Sequence, residues 1–447
     1  MATQHYTPAV KTAASKALWE RAAKVSPLGA QGEGKFYSPY PHFIRKAKGA
    51  RIWDVDGNEY IDYWNGAGPC VLGHADDQVN QAVITSMSER GNLYCAPHEL
   101  EVELCEKLAG IIPCAQMSAF LNAGSDILCI AARVARGKTK RKLLVKFAGS
   151  YHGWNDSLLF NVSSHSEPTD NRGLYAPIAE SAGLPTDAAA TIRILEYNDL
   201  QSLRILFEAE GDQIAGVFVE PIMHGPMTGC IDPLPGFLEG VRALCSEYGS
   251  LLVFDEILTG FRHDLGGAQK LLGVTPDLAA FGKGLSNGYP IAALCGSHTM
   301  MRQLGVDNKV FYSGTYNGNV NCVAAALATI DRLSSGGIIP HIWELGSRLR
   351  DGLNEVFRAR DIPARSRSYG SFVAFHATTK TLNNLGDVIR NHDASYAADF
   401  VSFLYENGIY LKPRKVTRFA ISGAHSSADI DRTVDVVDRY FARQRKH

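Results

Sequence analysis

The stretch SLLVFDE, residues 250–256, is a short apolar run that ends in two acidic residues. Similar runs recur between residues 100 and 330, separated by longer segments with apolar residues at helical spacing. They are KLLVKF (142–147), AGVFVEP (215–221), LAAFGK (278–283) and IAALCG (291–296). Such alternation is typical of a mainly parallel sheet with helices on its faces, so the sequence predicts an α/β fold.

The two ends of the chain have a different texture from its middle. Residues 50–64, ARIWDVDGNEYIDYW, alternate and predict a hairpin, whereas residues 339–359 carry apolar positions at helical spacing. We therefore predict an N-terminal arm over 1–80, a large domain over 81–330 and a smaller C-terminal α/β domain over 331–447.

Charge and composition restrict the partners. Forty-five basic and 46 acidic residues give a net charge of −1, which favours neither nucleic acid nor an anionic membrane. The nine cysteines lack the spacing of a metal site, so we expect no metal and reduced thiols. No signal peptide or long apolar span is evident, which predicts a cytoplasmic protein that acts on small molecules.

Three of the apolar runs end in Glu220, Asp255 and Lys283. Open parallel sheets bind ligands beyond the carboxyl ends of their strands, so one crevice could hold these three side chains. Each has an ordinary alternative when taken alone. Lys283 could be a solvated loop lysine, and Asp255 could pair with Arg262 or cap a helix.

Two further segments complete the pattern. Gly124 and Ser125 open a helix whose free N–H groups suit a phosphate, although an ordinary cap would look the same. Tyr151 follows a strand and could lie against a ring, or simply belong to the core. Together with Asp255 for a ring nitrogen and Lys283 for an aldehyde, these residues match pyridoxal 5′-phosphate, and Lys283 would form the Schiff base.

A set of ordered motifs extends over nearly the whole chain and resembles one known family. The motifs are ARIWDVDGNEYIDYWNGAGPCVLGHA (50–75), YCAPHELEVELCEKL (94–108), NAGSDI, FAGSYHGW, VEP, DEILTGFR, PDLAAFGKG, GTYNGN (314–319) and ISGAHSSADIDR (421–432). The chain resembles the class III pyridoxal-phosphate-dependent aminotransferases of fold type I. The similar branch contains glutamate-1-semialdehyde aminomutase and the β- or D-amino-acid transaminases.

The resemblance implies a large domain with a seven-stranded, mainly parallel sheet and a smaller α/β domain formed by both chain ends. It implies that Lys283, Asp255 and Tyr151 are catalytic, with Ile257 on the ring face opposite Tyr151. It also implies a homodimer with shared active sites, because Thr315 matches a threonine that reaches the neighbouring subunit's phosphate. The predicted cofactor contacts are Gly124, Ser125, Tyr151, His152, Glu220, Asp255, Ile257, Lys283 and Thr315.

The chain departs from the family pattern at three positions. Ala123 replaces a hydroxyl residue and Asp126 replaces a glutamate in the phosphate loop. Backbone N–H groups supply most of a phosphate cup, so cofactor binding should survive both changes. Thr417 stands where aminomutases of this branch carry a glutamate, which argues against mutase chemistry.

Substrate recognition is predicted from both ends of the chain. Lys35, Tyr37, Trp64 and Arg418 are the candidate substrate residues, and Arg414 and Lys415 are alternative anion holders. A solvated basic face is the ordinary alternative for these cations. The aromatic residues would suit an aromatic amine, a β-amino acid, a D-amino acid or an amino sugar.

The leading functional prediction is an aminotransferase that moves an amino group from an amine or amino acid to a carbonyl acceptor by a ping-pong mechanism. The alternative is an isomerase, either an aminomutase or an amino-acid racemase. A non-catalytic cofactor-binding protein is a third possibility, but it would require the loss of Lys283 or Asp255. A dinucleotide-dependent oxidoreductase would need a GxGxxG motif after a first strand, and the sequence lacks one.

Overall fold

The computed structural model describes residues 11–307 and 309–444 of the chain. Its strands are β1 Ile44–Lys48, β2 Arg51–Asp54, β3 Glu59–Asp62, β4 Met117–Leu121, β5 Leu143–Phe147, β6 Ile192–Leu195, β7 Ile214–Val219, β8 Leu251–Asp255, β9 Leu278–Phe281, β10 Ala292–Gly296, β11 Arg365–Tyr369, β12 Phe372–His376, β13 Ile409–Tyr410 and β14 Thr417–Ala420.

The α-helices complete the secondary structure, together with several short 3₁₀ turns. They are α1 Ala13–Ala22, α2 Asp77–Glu89, α3 Glu99–Ile111, α4 Gly124–Thr139, α5 Leu200–Glu210, α6 Phe237–Tyr248, α7 Gly267–Leu272, α8 His298–Met301, α9 Val320–Ser334, α10 Ile338–Ala359, α11 Leu385–Asn391, α12 Ala397–Glu406 and α13 Ser427–Gln444.

The chain divides into two compact units. The larger unit combines Asp77–Ile339 with Thr381–Asn391, and the other contains the segment that ends at Asp76, Pro340–Lys380 and the segment from His392 onward. Both chain ends thus contribute to the second unit. The predicted limits at residues 80 and 330 stay predictions, and their outermost parts, 1–10 and 445–447, lie outside the described residues.

The larger unit is built on a seven-stranded sheet with the order β4-β10-β9-β8-β7-β5-β6. Strands β5 to β9 pair in parallel, whereas β10 runs antiparallel to both of its neighbours. All five apolar runs that the sequence analysis identified form strands of this sheet. The prediction of an α/β fold with a mainly parallel seven-stranded sheet is therefore confirmed.

Strand direction decides where the functional side chains lie. Strand β4 runs in the same sense as β9, because each is antiparallel to β10. The strands β4, β5, β7, β8 and β9 therefore end at one edge of the sheet. The residues that end these strands or follow them are Gly124, Tyr151, Glu220, Asp255 and Lys283.

Helix α4 begins at this edge and packs onto the sheet. Its apolar side, which includes Ile127, Leu128, Ala131 and Val134, is buried in the main hydrophobic core. The spacing of these residues matches the helical period, which explains why this segment is a helix. Its start is thereby fixed close to the ends of the strands.

The second unit contains two smaller sheets, β1-β2-β3-β13 and β11-β12-β14, and the long helices α10 and α13. The predicted hairpin over 50–64 forms from β2 and β3. Its turn is held by Asp54, whose Oδ1 accepts from the backbone N–H groups of Asp56 and Asn58.

Within residues 11–307 and 309–444, no single helix has the length and apolar composition to cross a membrane. The pair Val320–Ser334 and Ile338–Ala359 meets the length and composition test only as a combined span, and it is bent by 71°.

Candidate active site

Asp255 and His152 form a buried pair at the end of β8. His152 Nδ1 donates to Asp255 Oδ2 over 2.8 Å, and the backbone N–H of Ile257 donates to Oδ1 over 3.1 Å. Asp255 is 5% exposed and His152 is fully buried. A buried carboxylate is costly unless it is hydrogen-bonded, so His152 explains how Asp255 is tolerated and how it is oriented. His152 Nε2 has no hydrogen-bond partner among the described residues.

Ile257 brings three segments of the site together. A Cβ atom on Gly124 would lie 3.0 Å from Ile257 Cδ1, and one on Gly282 would lie 3.2 Å from the same atom. The start of α4 and the residue before Lys283 therefore both approach the Ile257 side chain. Only a residue without a side chain fits comfortably at Gly124.

The loop after β5 packs against the start of α4. A Cβ atom on Gly153 would lie 2.7 Å from both Cα and Oγ of Ser125, and Gly153 has a φ of +82°. Ser125 Oγ also accepts, over 3.4 Å, from the N–H of Trp154. Burial raises the pKa of Tyr151, and the Ser125 side chain opposes that rise. The segment 151–154 is thus held beside Ser125.

Helix α4 begins without a side-chain cap. Its N-cap residue, Ala123, makes no side-chain cap hydrogen bond, and the Asp126 carboxylate accepts from the Ala123 N–H over 3.2 Å. The first-turn N–H groups of a helix carry partial positive charge. The Asp126 N–H donates to the Ala123 carbonyl over 3.1 Å, whereas Ala123 has no side-chain acceptor and leaves the N–H groups of Gly124 and Ser125 available to an anion.

Lys283 lies just beyond β9 in a strained backbone conformation. Its φ is +43°, and its side chain is half-buried. A non-glycine residue in the left-handed region costs about 1–3 kcal/mol, and such strain concentrates at functional sites. Asp255, the last residue of β8, pairs with Ala280 of β9. Lys283 comes three residues after Ala280 and therefore lies at the same edge of the sheet as Asp255.

Glu220 supports the loop that carries Tyr151. Its Oε1 accepts from the Tyr151 N–H over 2.9 Å, and its Oε2 accepts from the His224 N–H over 2.8 Å. Burial raises the pKa of Glu220, and the charge of Asp255 adds to that rise. The structure thus places Glu220 beside the backbone of Tyr151, and its predicted contact with a cofactor stays a prediction.

Glu256, which follows Asp255, is a further residue of this region that the sequence alone does not single out. Its carboxylate is fully buried and accepts from the Thr259 hydroxyl, the Ala268 and Gln269 N–H groups, and the Gln269 side-chain amide. It thereby fixes the chain on both sides of the loop after β8. The two consecutive acidic residues that end SLLVFDE are the sequence feature that could have indicated this role.

The candidate substrate residues lie in the second unit. Lys35 is exposed, whereas Tyr37 is 7% exposed and its hydroxyl is 2.6 Å from His42 Nδ1. Trp64 lies beneath the Arg414 guanidinium, whose carbon is 4.8 Å from the ring centroid. Arg418 lies over Phe372 at 5.0 Å in the same way.

The two arginines also influence each other. Burial lowers the pKa of Arg414 to about 9, and the charge of Arg418 contributes to that change. Lys412 is affected as well, since burial and the charge of Arg414 lower its pKa to about 8. Mutual repulsion among cations is relieved by a bound anion.

Thr315 lies in an exposed segment of the larger unit. It is flanked by Phe311 and Tyr316, which are 71% and 62% exposed. Large exposed apolar side chains that cluster along a chain often mark an interaction surface.

The residues at the strand edge suit a ligand that carries a phosphate, an aromatic ring, a ring nitrogen and an aldehyde. The uncapped start of α4 suits the phosphate, and the glycine cradle at Gly124 and Gly153 leaves room close to the backbone. The oriented carboxylate of Asp255 suits a protonated ring nitrogen, and Lys283 supplies an amine. Pyridoxal 5′-phosphate has these four parts.

Comparisons with known proteins agree with this arrangement. The family model Aminotransferase class-III matches residues 34–441. A relative from Acetivibrio thermocellus, named glutamate-1-semialdehyde 2,1-aminomutase, is 38% identical over 434 residues, which cover 96% of this chain and 98% of that protein.

Two solved structures are similar over nearly the whole chain. An omega-transaminase from Sphaerobacter thermophilus superimposes with a TM-score of 0.90 at 29% identity, covering 96% of this chain and 97% of that one. A β-phenylalanine aminotransferase from Variovorax paradoxus gives a TM-score of 0.84 at 27% identity, covering 96% and 94%.

Proposed function

Because this chain belongs to the class III aminotransferase family and takes pyridoxal 5′-phosphate as its cofactor, we propose that it is an isomerase of the aminomutase type. It would move an amino group between neighbouring carbons of one small-molecule skeleton. The main support for the proposed chemistry is that one edge of the sheet brings together Lys283, Asp255 and Ser125. The 38% identity to a named aminomutase supports the net reaction.

Each residue has a defined task in this proposal. When bound, pyridoxal phosphate supplies an aldehyde for the substrate amine and a ring that takes up the electron pair left by a departing proton. The Lys283 amine accepts and returns that proton at the substrate carbons. The Asp255 carboxylate, oriented by His152, keeps positive charge on the ring nitrogen. Ser125 and the start of α4 hold the phosphate.

Intermolecular amino transfer uses the same residues, so the cofactor site does not separate the two reactions. The sequence alone favoured transfer, whereas the relationship to a named aminomutase supports isomerisation better. The two reactions differ in whether the first carbonyl product leaves. An isomerase retains its substrate skeleton until the amino group has returned to it.

An aminotransferase is the second candidate because of Thr417. This residue lies in β14 opposite Phe375 and is 3% exposed. It stands where aminomutases of the similar branch carry a glutamate. A threonine hydroxyl cannot supply the charge or the proton of a carboxylate. The similarity to the two transaminase structures also supports this candidate.

The cations of the second unit indicate the substrate class. Arg414 and Arg418 lower the free-energy cost of bringing an anion close, and Trp64 covers one face of Arg414. We propose a substrate that carries a carboxylate besides its amine and carbonyl groups. Glutamate 1-semialdehyde, named for the relative above, is an amino aldehyde of this class.

The deciding experiment follows a ¹⁵N label from an amino aldehyde substrate in the presence of an unlabelled carbonyl acceptor. Isomerisation predicts that the label stays on the substrate skeleton and moves to the neighbouring carbon. Label in the amine of the acceptor contradicts the isomerase and supports the aminotransferase. If the label remains at its original carbon with no acceptor labelled, both proposals are wrong for this substrate class.

We also propose that the enzyme acts as a homodimer in the cytoplasm. The exposed Thr315 segment with Phe311 and Tyr316 supports the dimer, since a second copy would cover these side chains. The charge balance and the free cysteines support the compartment.

A further inference from the structure

Lys146 is a buried cation in β5, the strand next to one edge of the seven-stranded sheet. It pairs with Ile194 of β6 and Phe218 of β7, and it has no exposed surface. Its neighbours on the same face of the strand, Leu144 and Ala148, belong to the hydrophobic core. Lysine is almost never fully buried unless it has partners, so this position calls for an explanation.

Three backbone carbonyl oxygens surround the Lys146 ammonium group. Lys146 Nζ donates to the carbonyl of Ser150 over 2.8 Å, to that of Phe160 over 2.5 Å and to that of Leu158 over 3.4 Å. An ammonium group has three N–H donors and no acceptor, so this set uses it completely. Burial lowers the pKa of Lys146 to about 7, and the charges of Glu220 and Glu180 oppose that change.

These carbonyls bracket one segment, residues 150–160, which we call the 150–160 loop. It is the first part of the irregular stretch that follows β5 and continues to the 3₁₀ turn Ala188–Thr191. Between them are Tyr151, His152, which hydrogen-bonds Asp255, and Gly153, which packs against Ser125. The loop has no regular secondary structure, so a bond network of this kind replaces the ladder of a strand or helix.

We infer that Lys146 is a positioning residue, whose side chain ties both ends of the 150–160 loop to β5 and thereby places Tyr151 and His152 at the site. The inference rests on the proposed contacts of those two residues with the cofactor. The order of the loop itself can be measured separately from catalysis. A failure of the proposed reaction would leave the loop measurement valid.

A purely structural role for Lys146 predicts a different outcome. If the ammonium only stabilised the core, its removal would weaken the whole larger unit, including β7 and β8. A positioning role confines the effect to the loop and to the ligand that the loop contacts. The two roles therefore differ in where the protein becomes mobile.

The test compares Lys146→Met with Lys142→Met in protein saturated with pyridoxal phosphate. Methionine keeps most of the side-chain volume and removes the donors, and Lys142 is an exposed lysine of the same segment. Hydrogen exchange followed by mass spectrometry should show amides of 149–160 exchanging about tenfold faster or more in Lys146→Met, with β7 and β8 unchanged. Lys142→Met should match the wild type.

A second readout follows the cofactor. The visible circular dichroism of bound pyridoxal phosphate should change in Lys146→Met, and its dissociation constant should rise about tenfold, since Tyr151 and His152 are displaced. Unchanged loop exchange, or an equal acceleration throughout the larger unit, would overturn the inference. A changed loop with a normal cofactor spectrum and affinity would also overturn it.

The wild type provides a measurement in case Lys146→Met does not fold. The amides of 149–160 should exchange at least about tenfold more slowly than those of residues 181–184, a largely exposed part of the same irregular stretch. Equal exchange in the two segments would show that Lys146 does not restrain the loop.

Discussion

The Nδ1 atom of His152 lies 2.8 Å from Oδ2 of Asp255, and both side chains are buried at the end of β8. This pair links the loop after β5 to the central strand of the sheet. It fixes the direction in which the carboxylate points, and therefore determines where a cationic ring nitrogen can be held.

Replacing His152 by alanine should slow the reaction without abolishing cofactor binding. The change removes a charge-assisted hydrogen bond, whose loss of about 1.5–3 kcal/mol corresponds to roughly 10–100-fold in rate. The measurement is kcat at saturating pyridoxal phosphate, with a thermal melt as control. A normal kcat together with a large fall in melting midpoint would mean that His152 serves the fold alone.

Gly153→Ala should weaken cofactor binding more than Gly183→Ala. Both glycines have a positive φ, +82° and +85°, so both substitutions carry a similar backbone strain. Only at Gly153 would the new Cβ lie 2.7 Å from Ser125, whereas nothing lies within 4 Å at Gly183. We expect about a tenfold or greater rise in the cofactor dissociation constant for Gly153→Ala alone. Equal dissociation constants for the two variants would show that the packing of Gly153 on Ser125 is unimportant for the ligand.

Thr315→Ala should lower cofactor retention only in the assembled dimer. The residue is exposed in a single chain, and the proposal places it near the neighbouring subunit's phosphate. Gel filtration of the variant without free cofactor should release more pyridoxal phosphate than the wild type does. Sedimentation under assay conditions provides the control, and a fully active monomer would contradict the prediction.

His74 should make thermal stability depend on pH. Burial alone would lower its pKa, but hydrogen bonds with Asp62, over 2.7 Å, and with Cys70 raise it to about 10. Because the folded-state pKa exceeds the unfolded value of about 6.5, this stabilisation is complete below about pH 6.5 and is lost as the pH rises through about 10.

The corresponding measurement compares the melting midpoints of the wild type and His74→Gln at about pH 6 and about pH 10.5. At the lower pH, the wild type should melt at a higher temperature than His74→Gln. At the higher pH, this difference between the two melting midpoints should be smaller. A difference that is constant across this range would rule out protonated His74 as its source.

The strands could be predicted because each carries its own apolar run. SLLVFDE and LAAFGK form β8 and β9; Asp255 ends β8, and Lys283 lies two residues beyond the end of β9. The direction of a strand is not contained in its local sequence, and IAALCG gave no sign that β10 runs antiparallel to its neighbours. That direction depends on how distant segments pair.

Side-chain partners were less predictable than strands. An ion pair with Arg262 or a helix cap was one expectation for Asp255, and the structure instead pairs it with His152, 103 residues away. The sequence identifies Lys146 only as part of a strand, because its partners are backbone carbonyls that no residue type reveals. Tyr37 was predicted to border a substrate, but a sequence cannot show that its hydroxyl meets His42.

Lys283 is the proposed amine that holds the cofactor aldehyde, and the proposed roles of the other site residues depend on it. Borohydride treatment of the purified holoenzyme, followed by digestion and mass spectrometry, tests this directly. We predict that the reduced cofactor is found on the peptide that contains Lys283, and that Lys283→Ala, still folded by its thermal melt, carries no such label. Label on another lysine of the wild type, or the same amount of label in Lys283→Ala, would contradict the proposal that Lys283 holds the cofactor aldehyde.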